Sequence, residues 1–159
     1  MTPVDEYRFR SVLSRFASGV TVVTAVDENG VDHGITVSAF CSLSLKPPLV
    51  LVCIDHGTVM HGILETASAF AVSVLAADQE ELARRFSDPD NDRFDGTSYT
   101  RGATGAALLS GAAAHLECDI AHRFEGGDHT IFIGSVQSAE SADLHPLLYY
   151  RGGYARLER

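Results

Sequence analysis

The sequence predicts a mainly β domain, an antiparallel sheet of about six or seven strands closed as a barrel or sandwich and flanked by short helices. Three observations predict it. Short β-branched and apolar runs recur along the chain, as in GVTVVTAV (19–26), PPLVLVCI (47–54), SAFAVSVL (68–75) and HTIFIGSVQSAE (129–140). Turn chemistry separates them, at DENG (27–30) and GGD (126–128). Helical periodicity is confined to three brief segments. With 159 residues, 45% hydrophobic and 21% charged, the chain suits a single domain over 1–159 that buries its own core.

The elements follow in order. Phe9, Val12, Leu13 and Phe16 fall at helical spacing within 5–18, predicting an amphipathic helix that lies on the domain and stops at Gly19. GVTVVTAV, the DENG turn and VDHGITVSAF predict a hairpin. PPLVLVCI is nearly unbroken in apolar character, which predicts a strand buried on both faces. TVMHGILET (58–66) predicts a short helix and SAFAVSVL a strand. Asp78 with Glu81 three residues on resembles a capping box, opening a helix over 78–86 with Leu82 and Phe86 on one side. Residues 87–112 are Asp-, Gly- and Ser-rich with little periodicity, which suits a lid, a binding loop or a partner contact. AAAHLECDIAHRF (112–124), HTIFIGSVQSAE and PLLYYRGGYARLE (146–158) predict three further strands.

Composition excludes some functions. A formal charge of −9 with scattered cations argues against nucleic acid. Cys41, Cys53 and Cys118 are odd in number and lie in apolar runs, which predicts no disulfide framework and a cytoplasmic setting. MTPVDEYRFR lacks the basic-then-apolar order of a secretion signal, and no apolar run reaches spanning length, so no membrane association is expected.

TVSAFCSLSLKPP (36–48) splits with period two. Val37, Ala39, Cys41, Leu43 and Leu45 make an apolar set predicted to face the core; Thr36, Ser38, Phe40, Ser42 and Ser44 make a hydroxyl-rich one. That second face fits either an edge strand in water or a cradle whose amides approach a flat polar ligand. HLECDIAH holds His115, Cys118, Asp119 and His122, but strand residues three apart point to opposite faces, so no metal site is expected. No His-Glu-x-x-His, Cys-x-x-Cys, Gly-x-Ser-x-Gly or Walker loop supports hydrolysis or phosphoryl transfer. His129 begins a strand after the GGD turn. Arg84, Arg85 and Arg93 flank the long loop with Phe86 and Phe94, either as a solvated helix end or with one arginine meeting a phosphate. Tyr149, Tyr150 and Tyr154 fit a packed closure or an aromatic wall equally.

Taken in order, FRSVLSRFASGVTVVTA, GITVSAFCSLSLKPPLVLVCI, FAVSVLAADQEELARRF, RF at 93–94, LECD, GGDHTIFIGSV and PLLYYRGGY resemble the flavin reductase-like family along nearly the whole chain. The resemblance implies a split β-barrel, a homodimer, and NADH- or NADPH-dependent reduction of FMN or FAD that supplies reduced flavin to a partner monooxygenase. It implies that Thr36, Val37, Ser38, Ser42, Leu43 and Ser44 line the flavin. Cys53, Ile54, Asp55 and Thr58 would reach the ribityl chain and phosphate, with Arg85 and Phe86 near the phosphate or adenylate end. His129 and Tyr154 match positions where nicotinamide stacks. The family often carries Asn, then Ser or Thr followed by Arg, after the buried strand; here Asp55 and Val59 stand in those places. No acid, base or nucleophile is strictly required, because the cofactors carry the hydride. The rivals are a non-catalytic flavin or heme binder on the same barrel, and a pyridoxamine-phosphate oxidase-like protein, for which cations before residue 84 are sparse.

Overall fold

The computed structural model of the chain describes residues 2–158. In chain order its elements are α1 (Glu6–Leu13), β1 (Ser18–Gly19), β2 (Thr21–Val26), β3 (Asp32–Val37), β4 (Phe40–Leu45) and β5 (Pro48–Asp55). Then come α2 (Val59–Thr66), β6 (Ala69–Val74), α3 (Glu80–Ser87), β7 (Tyr99–Arg101), β8 (Ala107–Leu109), β9 (Ala114–Gly126), β10 (His129–Ser141), β11 (Leu147–Tyr150) and β12 (Gly153–Arg156). A seven-stranded antiparallel sheet runs β3-β2-β6-β9-β10-β5-β4. Its two edge strands are consecutive in the chain, joined only by Ser38 and Ala39, so the sheet must curl until its edges meet. The Cys53 amide donates to the Ala39 carbonyl at 3.0 Å where they approach, and β3 contacts β5 across the gap. The result is a barrel split along one seam.

Both faces of β2 are covered, which is why Thr21 to Ala25 are all buried. Successive side chains point oppositely. Val23 and Ala25 therefore enter the barrel core with Val52, Ile54, Phe70, Phe132 and the α2 residues Met60 and Leu64. Val22 instead joins Val20, Leu75, Ala83, Phe86, Leu109 and Leu147 in a second core beneath α3. Each valine removed from water in this way contributes about 1.5–3 kcal/mol. Two glycines permit the closeness: a Cβ on Gly134 would lie 2.6 Å from Phe70, and one on Gly34 2.7 Å from Phe86. Three-stranded β1-β11-β12 closes one end, and β7-β8 forms a separate hairpin.

Several expectations need correction. The helix α1 ends at Leu13, Gly19 lies in β1, and no residue of α1 is buried; Tyr7, Phe9, Val12 and Leu13 are exposed, as is Phe16 beyond it. Its periodicity specifies an apolar face without specifying what covers it. The segment 36–45 is two strands, because the bend at Ser38–Ala39 breaks the alternation and a register shift between Ser42 and Ser44 breaks it again. Cys41, Leu43 and Leu45, predicted to face the core, are exposed, and Phe40 packs on the barrel core instead. In β5, Val50, Val52 and Ile54 are buried, whereas Leu49, Leu51 and Cys53 are half-buried: the sheet has one filled face, not two. Asp78 caps nothing in α3. Gln79 occupies the cap position, and its side chain accepts from the Ala76 amide at 2.9 Å and donates to the Ser110 carbonyl at 2.8 Å. The long loop contains the β7-β8 hairpin, and residues 112–158 form four strands, not three.

That hairpin is anchored from several sides. Thr24 Oγ1 donates to the Ala107 carbonyl at 2.6 Å, and the Leu109 amide donates to Ser73 Oγ at 3.0 Å. Arg101 forks onto both oxygens of Asp32 at 2.8 and 2.6 Å. Glu117, buried on β9, accepts from the Thr104 amide at 2.9 Å and its hydroxyl at 2.8 Å. Burial pushes the Glu117 carboxyl up, but the bonds from Thr104 and the Ala103 amide outweigh it and hold it below its ordinary value. A carboxylate so depressed stabilises the fold fully above its unfolded pKa of about 4.3, and that contribution is lost as pH falls through the lower folded value. Glu117→Gln is therefore expected to flatten the acid limb of stability below about pH 4.3. Urea denaturation across pH 3–7 reads this out, and an unchanged acid limb would contradict it.

Candidate functional site

The seam is where unpaired peptide groups accumulate. An edge strand bonds its neighbour on one side only, so alternate amides and carbonyls of β3 and β4 point away from the sheet. Around this edge lie three depressions. One is lined by Ile35, Thr36, Val37, Ser38, Cys53, Ile54, Asp55, Thr58 and His129. The second shares Thr36 and Ser38 and adds Ser87, Tyr149 and Tyr154. The third and largest, about 500 Å³, shares Ile35, Thr58 and Ser87 and extends between Asp32–Gly34, Val59–Met60 and the loop through Asn91, Arg93 and Phe94. Shared residues join them into one groove, in which His129 lines the first depression and Tyr154 the second.

Local bonding decides which groups remain available. Thr36 Oγ1 and Ser87 Oγ both donate at 2.6 Å to the Ala83 carbonyl, so their protons hold α3 against β3 and only their lone pairs face outward. Asp55 Oδ1 accepts from the Gly57 amide at 2.7 Å, and Thr58 Oγ1 donates to the Asp55 carbonyl at 2.8 Å while accepting from the His61 amide at 3.2 Å as the cap of α2. Behind this turn, the buried Thr130 hydroxyl lies 3.1 Å from His56 Nε2 and 2.8 Å from His61 Nε2, and it donates to Glu125 at 3.2 Å. This network ties the start of α2 to the β9-β10 hairpin that carries His129. Burial pushes the Cys53 thiol up, aided by Cys41, and burial beside Asp119 and Glu117 pushes Cys118 to about 12; neither is an activated nucleophile.

Both lips are held by ionic partners. His129 Nδ1 meets Asp128 Oδ1 at 2.7 Å, which leaves Nε2 without that partner. That hydrogen bond and the nearby imidazole charge hold the exposed Asp128 carboxyl below its ordinary value. On the other side the Tyr154 ring packs edge-on to Tyr149 at 5.5 Å and lies 5.0 Å beneath the Arg84 guanidinium, itself fixed by Glu80 at 2.7 Å. Asp55, Asp128 and His129 also bring three potential ligand atoms within 4.8 Å of one another. The bonds just described already engage one oxygen of each carboxylate and the ring Nδ1, and both carboxylates are exposed.

The structure thus brings together Thr36, Val37, Ser38, Cys53, Ile54, Asp55, Thr58 and His129, with Tyr154 adjoining. Val37 and Ile54 have buried side chains and offer the groove only backbone. Ser42, Leu43 and Ser44 line none of the three depressions, since the bend and register shift carry β4 away. Phe86 is fully buried in the second core, so its side chain supports the groove floor from behind. Arg85 turns to the Asp95 carbonyl at 2.7 Å and lines a separate depression with Asp78 and Glu81. Sequence reasoning missed His33, Ile35 and Ser87, because no periodicity or motif marks them and only the α3–β3 contact makes them neighbours.

A split antiparallel barrel with a backbone-edged groove lined by a histidine and a tyrosine, whose Cys53 thiol is raised and not activated, fits a class: a binder of a flat, elongated cofactor. The chain belongs to the flavin reductase like domain family, whose profile matches residues 13–158. It is 44% identical to the NADH-dependent FAD reductase of Streptomyces globisporus, over 97% of this chain and 86% of that protein. It is 39% identical to the flavin-dependent monooxygenase reductase subunit HsaB of Rhodococcus jostii (strain RHA1), covering 98% and 80%. Among solved structures, the Streptomyces globisporus C-1027 NADH:FAD oxidoreductase SgcE6 in complex with NAD and FAD fragments superposes with a TM-score of 0.93 at 42% identity, covering 99% and 98% of the two chains.

The lip geometry has a direct consequence. Because the His129 bond depresses Asp128, a His129→Ala variant is expected to raise the Asp128 pKa toward the ordinary carboxylate value, as followed by side-chain carboxyl carbon NMR between pH 2 and 6. A titration that does not move would mean that the pair is not formed in solution.

Proposed function

We propose that this chain is an NADH-dependent flavin reductase, acting as one domain across 1–159 in the cytoplasm and passing reduced flavin to a partner monooxygenase. The observation that carries it is the run of joined depressions along the barrel seam, one lined by His129, the next by Tyr154, and a third of about 500 Å³ that shares Thr58 with the first. When bound, flavin and nicotinamide supply the hydride chemistry between nicotinamide C4 and flavin N5. The chain's own contribution is positional and electrostatic. Edge amides of Thr36 to Ser38 read the polar rim of a flat ring and offer donors where negative charge gathers on reduction. Cys53 to Asp55 and Thr58 follow the ligand's chain. His129 and Tyr154 shape the space in which a second ring approaches the first. The groove's length beyond Thr58 favours FAD over FMN, in keeping with the FAD named for the Streptomyces relatives.

The purified protein is expected to oxidise NADH only when FAD or FMN is added; flavin binding without turnover would favour a carrier instead. In His129→Ala, kcat/KM for NADH is expected to fall by roughly 10- to 100-fold while the flavin Kd stays within about twofold. Equal losses of both would remove His129 from the nicotinamide side.

The assembly is proposed to be a homodimer. Tyr7 (85% exposed) on α1, Phe16 (79%) just after it and Leu45 (90%) on β4 are large apolar side chains that no described residue covers, and the proposed cover is a second copy. Phe9→Glu combined with Phe16→Glu is expected to give a folded monomer in analytical ultracentrifugation. A persistent dimer would move the interface elsewhere.

A further inference from the structure

The second depression, where Tyr154 lies, is lined by no lysine, arginine, histidine or carboxylate. Charge reaches it from behind one wall instead. Arg84 lines none of the three depressions, yet its guanidinium carbon lies over the Tyr154 ring, 5.0 Å from the centroid. Because Tyr154 belongs to the lining and Arg84 does not, the cation sits on the side of the ring turned away from the depression. Tyr149 meets the same ring edge-on at 5.5 Å, which fixes its tilt. Glu80, one turn earlier on α3, anchors the guanidinium: one carboxylate oxygen accepts from Nε at 3.1 Å and from Nη2 at 2.7 Å. The two side chains are 65% and 44% exposed, so the pair stands in water, and the guanidinium, not the carboxylate, is what lies over the ring.

A hydride leaving a dihydronicotinamide takes both electrons of its C–H bond, so the ring arrives neutral and departs with one positive charge. We propose that Arg84 distinguishes these two redox states, disfavouring the cationic, oxidised ring beside Tyr154 and so promoting release of the product. The proposal rests on the flavin-reductase reading and deepens it, by assigning a residue to the step after hydride transfer. A ring stacked on the groove side of Tyr154 lies about 4.5 Å from its centroid, and therefore about 9 to 10 Å from the guanidinium carbon. That is within the Debye length of about 10 Å at 0.1 M salt. Across it a neutral ring feels little and a cation is repelled. Tyr154 adds to the difference, because a π system that already serves one cation serves a second, on its opposite face, less well. Arg84 thus acts on specificity through charge, without touching the ligand.

The test measures Kd for NAD+ and for NADH by calorimetry on the full chain, in wild type, Arg84→Met and Glu80→Gln; product inhibition by NAD+ during turnover with FAD reads the same preference a second way. The two nucleotides share their phosphates and adenosine, so the ratio of Kd for NAD+ to Kd for NADH isolates the charge on the ring. Arg84→Met is expected to lower that ratio about two- to fivefold, through tighter NAD+. Glu80→Gln keeps an acceptor for Arg84 but removes its counter-charge, and is expected to raise the ratio about twofold. Opposite signs mark an effect of charge, whereas a loosened Tyr154 would move both variants the same way. Any pattern other than a fall in the first variant and a rise in the second overturns the proposal. If Arg84→Met does not fold, the sign in Glu80→Gln decides alone. A wild type that oxidises no NADH with FAD or FMN sinks the flavin-reductase reading itself. The calorimetric ratio needs no turnover and still decides Arg84, and a chain that binds neither nucleotide counts against it.

Discussion

Everything about the groove depends on one constraint: two edge strands of the same sheet are joined by only two residues. A seven-stranded sheet whose first and last strands are β3 and β4 cannot lie open when Val37 and Phe40 are separated by Ser38 and Ala39 alone. It must curl, and its interior fills with Val23, Val52, Ile54, Phe70 and Phe132. Closure is incomplete because β3 and β4 diverge from the joint without bonding to each other as a ladder. Unpaired peptide groups are costly in a dry interior and an aggregation hazard on a flat edge. Here they border a concave surface, where a polar planar ligand can satisfy them.

The second core makes that edge rigid. Phe86 sits against Gly34, closer than any side chain at position 34 would allow, so α3 docks directly on the back of β3. Thr36 and Ser87 then spend their hydroxyl protons on Ala83, which couples the helix to the strand. The β7-β8 hairpin, held by Arg101 on Asp32 and by Glu117 beneath Thr104, backs the same region from the far side. The lips are held independently, Tyr154 beneath Arg84 and His129 beside Asp128. A reaction in which two cofactors exchange a hydride asks the protein for geometry more than for proton transfer, and rigid support of this kind supplies it.

Much of this was legible in the residues. β-Branched runs and turn signals located most strands of the main sheet, and Thr58 to Thr66 read correctly as a helix. The hydroxyl-rich stretch pointed to the edge that carries the groove. Its failures are equally physical. Period two placed Cys41, Leu43 and Leu45 in the core, but a bend and a register shift reset the phase, and alternation cannot register an extra residue. Asp78 and Glu81 had the spacing of a cap, yet the cap position falls on Gln79, which makes no side-chain capping bond and instead bonds Ala76 and Ser110, the latter thirty-one residues away. The apolar periodicity of α1 was real, but it says only that a face must be covered.

The sequence by itself determined the three helical segments, most strands of the main sheet, the absence of hydrolytic motifs and the family, because these reside in local periodicity and ordered short motifs. Only the tertiary structure decided which hydroxyls keep a proton to offer, that Phe86 lies behind the groove, that Arg85 turns away, and that Arg93 spends a donor on the Gly34 carbonyl. Those outcomes depend on contacts such as Arg93 to Gly34, fifty-nine residues apart, and no local pattern encodes the partner of a side chain across the fold.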